Sequence, residues 1–395
     1  MYINKLTIPN AFAMFLIFIS FFQFNITQIL HYAWIVNAAL IFIVCKDKRG
    51  SPWGVALAYI LLAFSMSIHT VLIADYSDLK FAINQVAFLL SSSAIILLYS
   101  FSSDEQKELN FTWLKYAINI STVTIIGVLF FTGLKNDILI YDYNNAYSKL
   151  LDILYLHKGG LSYIFAWYLS FMFAKKISVT SIILLSLILV VGFGMRSLML
   201  ALVLFLIFHF IQKSYFGRKF IYLTVVVYFF IATFITIDTV DISHFDIRGL
   251  SLQLTLDMAK VFPFGIGLGG FDEFVILEPK DFTKSNYIDY INPETAFYNN
   301  KHMLTELPSD ILLLTATFGT FLTSLYYLMI MRMVFFVYAI RLLLLNHERV
   351  ILNVFIIYTF MGVGRHPIFT LSWWLVISMF VFVYIKYRNK IKILK

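Results

Sequence analysis

The chain has 395 residues, of which 61% are hydrophobic and 13% charged, and its mean hydropathy is +0.84. Soluble proteins carry about 25% charged residues, so a water-soluble globular or disordered chain is excluded, and lipid is the solvent that fits. The net charge of +8, from 30 basic and 22 acidic residues, is spread among short loops beside apolar runs, which is topology information rather than a nucleic-acid patch. The single cysteine, Cys45, leaves no intramolecular disulfide, CxxC redox pair or thiolate zinc site.

With about 17 to 25 apolar residues per crossing, the sequence predicts spans near 9–26, 29–45, 53–73, 81–101, 112–132, 159–174, 177–195, 197–212, 219–237, 309–331, 350–364 and 368–386. The expected fold is an all-α polytopic membrane protein of about twelve helices, with residues 1–395 forming one integral membrane domain. The first span reads as an uncleaved anchor, because its n-region carries only Lys5 and a second apolar span follows at once without a small-residue cleavage site. Basic residues cluster after the second span (Lys46, Lys48, Arg49), the sixth (Lys175, Lys176), the eighth (Lys213, Arg218, Lys219) and the last (Lys386, Arg388, Lys390, Lys392, Lys395). By the positive-inside rule these positions and both termini face the cytoplasm. The stretch 332–345 is apolar but carries Arg332 and Arg341, with Arg349 beyond it. It reads as a cytoplasmic extension or a surface-lying amphipathic helix with its arginines at the headgroups.

The opposite face is expected to carry a loop at 133–158 and the largest polar stretch of the chain, 238–308. Within it, Leu250, Leu252, Leu254, Met258 and Val261 fall near helical spacing, which predicts a short helix over 249–262 that lies on the membrane or caps the bundle.

Several positions on that face carry candidate chemistry. Arg196 in GFGMRS reads either as a snorkelling side chain or as an anion clamp, since guanidinium offers phosphate a planar fork of donors. Arg248 opens the segment that leads into PFGIGLGGF, where Gly265, Gly267 and Gly269 read as a flexible turn or as a glycine turn approached closely by backbone or substrate. The spacing of Gly265, Gly267 and Gly270 satisfies GxGxxG, but no strand precedes it and no βαβ unit fits, which excludes a dinucleotide site. His302 is a solvated loop residue or a catalytic one. Glu306 and Asp310 are helix N-terminal carboxylates favoured by the dipole, or acids near a reacting hydroxyl, with Ser309 as a plausible N-cap. Arg365 and His366 in GVGRHPIF form a polar turn or add a basic contact. Positive charge on this face runs against the topology rule, and a lipid pyrophosphate bearing a sugar would give it a ligand.

The order of these motifs resembles the O-antigen polymerase and O-antigen ligase superfamily, the Wzy and WaaL proteins. The features that carry the resemblance are GFGMRS, a long loop opening with an arginine and a helix, PFGIGLGGF, and SDILLLTATFG, a polar pair with a glycine about nine residues on. In detail it spans about residues 159–331, and PFGIGLGGF is its most specific part. It implies a glycosyltransferase of the GT-C type, without metal or other cofactor, acting on undecaprenyl-pyrophosphate-linked oligosaccharide at the periplasmic face of a bacterial inner membrane. The implied partners are that lipid-linked substrate, the bilayer, a chain-length regulator and a flippase, with no nucleic acid. Arg196 and Arg248 match the family arginines that hold the donor pyrophosphate, with Arg365 as a third basic contact and His302, Glu306 or Asp310 near the acceptor hydroxyl. Where the family often has a histidine directly before the polar residue that opens the helix, this chain has Pro308, which favours polymerase over ligase. A transporter or flippase for lipid-linked sugars is the competing class, although the two halves of the chain look unlike and the polar residues gather on one face.

Overall fold

A helix satisfies its backbone groups within its own segment, which is what a long apolar run requires. The computed structural model describes residues 7–19, 27–45, 51–73, 79–133, 158–174, 196–211, 255–256, 258–259, 262–267, 310–362 and 371–393, and among these it is all-α. In chain order the helices are α1 (Thr7–Ile19), α2 (Thr27–Cys45), α3 (Ser51–Ile73), α4 (Leu79–Phe101), α5 (Asp104–Gly133), α6 (Lys158–Ala174), α7 (Arg196–Ile211), α8 (Asp310–Ala339), α9 (Asn346–Met361) and α10 (Leu371–Ile393). The expected spans at 177–195 and 219–237 lie outside the described residues, as do most of the loops 133–158 and 238–308. Of the helix expected over 249–262, Thr255, Leu256, Met258 and Ala259 are helical and buried, packed into the protein rather than laid on its surface.

Three helices run past their apolar cores. α5 starts at Asp104, because the Gln106 amide donates to Ser103 Oγ (3.2 Å), an N-cap, and Asp104 and Glu105 sit at the positive end of the dipole. α9 begins at Asn346, where Glu348 reaches back to accept the Leu345 amide (2.9 Å). α10 continues through the basic tail to Ile393. Of the two readings of 332–345, the structure has an extension and no separate surface helix: 332–339 continues α8, and 340–345 turns the chain into α9.

Among the described residues, Asp310–Ala339 is the one helix long and apolar enough to cross a membrane by length and composition, beside shorter apolar helices such as Ile8–Phe18, Pro52–Met66 and Val86–Phe101. It is not one rod. Gly319 has φ 78° and ψ 168°, which breaks α8 into 310–318 and 320–339. The second piece, at 1.5 Å per residue, is about 30 Å long.

α9 is the central helix, packed against α5, α6, α7, α8 and α10. It is buried all round, as Val350, Ile351, Val354, Phe355, Ile357 and Tyr358 show. Phe355 stacks on Phe380 of α10 with ring centroids 4.0 Å apart. On the other side of α10, α4 packs against α1, α2 and α3, and the buried run Ser91-Ser92-Ser93 keeps its neighbours close. The outward faces invert the pattern of a soluble protein. On α5, Leu109, Trp113, Tyr116, Ile120 and Val123 form an exposed apolar stripe at helical spacing, and Leu57, Leu61, Phe64 and Ile68 do the same on α3. Meanwhile Asn10, Asn37, Thr122, Ser162 and Thr323 are buried inside.

One end of the bundle is held by charges. Glu348 is fully buried, and its carboxylate accepts from Lys386 Nζ (2.8 Å), the Tyr387 hydroxyl (2.8 Å) and the Leu345 amide. Lys386 also reaches Asp104 (3.2 Å), which pairs with the buried Lys107 (3.2 Å), whose ammonium lies 4.7 Å from the centre of the Phe382 ring. His347, also buried, meets Glu108 through Nδ1 (2.8 Å). The ends of α5, α9 and α10 and the turn before α9 are thereby tied together. Partial burial works to raise the Asp104 pKa, but the Lys107 and Lys386 ammonium groups outweigh it and hold the carboxyl below its ordinary value. A depressed carboxyl contributes stability that is complete above its ordinary pKa of about 3.9 and is lost as the pH falls below that. Asp104→Asn should therefore lower the melting temperature at pH 7, and its gap to wild type should close toward pH 3. Lys386→Met strips the charged donor from a buried carboxylate and should cost about 1.5–3 kcal/mol. Thermal unfolding of the detergent-purified protein across pH checks both.

Candidate functional site

At the opposite end, the chain lays the PFGIG turn onto the break in α8. A helix leaves its last carbonyls without intrahelical partners, and the Gly319 break does this inside the bundle. The Ile266 amide donates to the Ala316 carbonyl (2.8 Å) and the Gly267 amide to the Thr317 carbonyl (3.0 Å). The turn is closed by the Gly265 amide on the Phe262 carbonyl (2.9 Å). Two glycines make the fit. Gly265 (φ 79°) lies against the Thr317 carbonyl and Gly319 (φ 78°) against the Pro263 carbonyl, so a Cβ on either would run into backbone. Two segments singled out separately in the sequence, PFGIGLGGF and the glycine of SDILLLTATFG, are thus two halves of one contact.

The break also sets where Asp310 sits. In a straight helix Asp310 would lie beyond Gly319 and clear of the second piece, yet its amide meets the carbonyl of Gly362 at the end of α9, the helix of about 24 Å that turns back along that piece of about 30 Å. The first piece of α8 therefore folds back against the second. Asp310 is 2% exposed, its amide donates to the Gly362 carbonyl at the end of α9 (2.8 Å), and Gly362 leaves room for its carboxylate, which a Cβ there would meet. The same end of the bundle holds hydroxyl and aromatic groups, Tyr358 among them one turn before Gly362. Tyr326 stands beside the Trp373 indole and near Tyr59, which in turn neighbours Ser378. The Tyr358 hydroxyl pairs with Ser372 Oγ (2.9 Å), and its ring lies 5.1 Å from that of Tyr163. A carboxylate at a helix N-terminus is stabilised by the dipole. Here it is buried at the start of α8, and as a carboxylate it can accept a hydrogen bond or a proton from a hydroxyl.

Of the expected site residues, Asp310, Gly265 and Gly267 meet at α8, and Arg196 opens α7, whose other end, at His209, bonds Tyr338 at the charged end. Arg196 therefore begins its helix at the Asp310 end. Arg248, Gly269, His302, Glu306, Arg365 and His366 lie outside the described residues, and Arg365 follows Gly362 by three positions. The sequence reading missed Gly362, Tyr326, Tyr358, Ser372 and Trp373, which sit within apolar runs. Among the described residues no group of three or more His, Cys, Asp or Glu is placed to hold a metal. Comparison with protein-family models, curated proteins and solved structures finds no match.

The glycine interlock makes a sharp comparison possible. Gly319→Ala and Gly265→Ala combine a left-handed backbone with collision into backbone and should each cost about 3 kcal/mol or more. Gly127→Ala on α5, where a Cβ meets nothing within 4 Å, should gain up to about 1 kcal/mol. Fluorescence-detected size-exclusion chromatography after a heating series reads all three.

Proposed function

We propose that this chain is a multi-pass membrane glycosyltransferase that polymerises undecaprenyl-pyrophosphate-linked oligosaccharide units at the non-cytoplasmic face, with about twelve crossings and both termini inside. Lipid as the solvent is supported by the exposed apolar stripes of α3 and α5 and by the polar groups turned inward. The observation that carries the enzymatic reading is the interlock itself. The two motifs behind the family resemblance are joined by backbone pairing, and they hold Asp310 by its backbone at the end where Arg196 begins α7.

The chemistry follows from the groups. An acceptor sugar hydroxyl attacks the anomeric carbon of the donor, a new glycosidic C–O bond forms, and the bond to the pyrophosphate breaks. Arg196 and Arg248, with Arg365, neutralise the charge that grows on the departing pyrophosphate. Asp310, with His302 and Glu306 as the other candidates, takes the hydroxyl proton, and neighbouring aromatics give sugar rings a face to stack on.

The test is polymerisation in vitro and in cells. Purified protein given the lipid-linked repeat should yield a ladder, and Arg196→Ala, Arg248→Ala and Asp310→Asn should each slow it about 10²–10³-fold at unchanged protein yield. A gene-deleted strain should carry single-repeat material without a ladder. Polymer stranded on the lipid carrier would point to a ligase, loss of all exported repeats to a transporter, and normal ladders would remove the reading.

A further inference from the structure

At the charged end, a cavity of about 220 Å³ opens between the ends of α6, α7, α8 and α9, with Arg341 and Arg349 at its rim and Phe173, Phe205, Leu206 and Leu352 among its walls. Each arginine spends one donor on backbone: Arg341 on the Tyr338 carbonyl (3.2 Å) and Arg349 on the Leu344 carbonyl (3.1 Å). Guanidinium has five N–H donors, and neither arginine is in an ion pair among the described residues, although Asp104, Glu108 and Glu348 at the same end all are. Arg341 is further fixed over the Tyr338 ring, 4.4 Å from its centroid. Beside the rim, the turn between α8 and α9 exposes Leu342 (79%) and Leu343 (67%).

We infer that this cavity is a binding site for one anionic phospholipid, its phosphate between Arg341 and Arg349 and an acyl chain along the Phe173–Leu206 wall. The occupant is argued from chemistry. Two held guanidiniums facing one apolar groove match a phosphate joined to hydrocarbon, and the exposed leucines place the rim where lipid replaces water. Basic pockets between helices at the cytoplasmic side of a membrane are suited to anionic headgroups. In sequence, α6 is followed directly by Lys175 and Lys176, and α7 within two residues by Lys213. The inference needs the membrane embedding proposed above but not the sugar chemistry, so an inactive protein tests it equally well.

The experiment is native mass spectrometry and thermal unfolding of the full chain in detergent with added phosphatidylglycerol, phosphatidylcholine or inorganic phosphate. Phosphatidylglycerol should be retained at one copy and raise the melting temperature, while the other two should do neither. The double variant R341Q/R349Q should bind it about 10- to 30-fold more weakly. Leu206→Trp, which fills the groove and leaves both arginines, should also displace it, and Arg332→Gln, on an exposed part of α8 outside the cavity, should not. Equal binding of phosphatidylcholine, equal stabilisation by inorganic phosphate, or full binding by both the double variant and Leu206→Trp would each overturn the site.

Discussion

The backbone pairing of Ile266 and Gly267 with the broken end of α8 is the contact on which the Asp310 end of the molecule depends. A helix interrupted among apolar neighbours strands carbonyls that have no water to turn to, and each stranded group costs a few kcal/mol. The turn at 263–267 supplies the missing donors, and in return the break gives the Ile266 and Gly267 amides their carbonyl partners. Neither half is stable alone: the turn needs carbonyls freed by the non-helical geometry of Gly319, and Gly319 can hold that geometry because Pro263 lies against it where a side chain would otherwise be. Folding the first piece of α8 back then carries Asp310 to Gly362 at the end of α9.

α9 transmits this arrangement to the other end. Its first turn holds Glu348 in the grip of Lys386 and Tyr387, and the residue after its last turn, Gly362, receives the Asp310 amide. One helix of 16 residues, about 24 Å long by its rise, thus fixes both ends of the bundle. A buried ion pair is weak evidence for net stability, because desolvation offsets the attraction. Its stronger effect here is register: Lys386 bridges Asp104 and Glu348, so α5, α9 and α10 cannot slide past one another without separating charges in an apolar setting.

Hydropathy made the helices legible because apolar runs are long and unambiguous, and α2, α3, α4 and α6 fall close to where the runs lie. It failed at α5 and α9, whose first turns are polar and are set by Ser103 and Glu348 rather than by burial. The site was half legible. PFGIG and the glycine of SDILLLTATFG stand out as motifs, but that they touch depends on a pairing across about fifty residues of chain, which no local pattern encodes. Tyr326, Tyr358 and Trp373 stayed hidden because an aromatic within an apolar run looks the same whether it fills space or lines a recess. Gly362 stayed hidden because its role is the volume it leaves for Asp310.

That role of empty volume bears on what Asp310 can do. A carboxylate carried on a loop would have to be ordered at each encounter with a ligand, at an entropic cost. Asp310 instead begins a helix piece anchored by its own amide to Gly362, and that piece is anchored again at Ala316 and Thr317. Its position is therefore fixed by backbone, which does not re-sort with the side chains around it. A preorganised acid beside hydroxyl and aromatic groups suits a ligand that presents many hydroxyls and a ring face, because neither the site nor the ring has to reorganise as they meet. Under the proposed function, sugar recognition would fall to the 238–308 segment while the carboxylate keeps its place on the bundle.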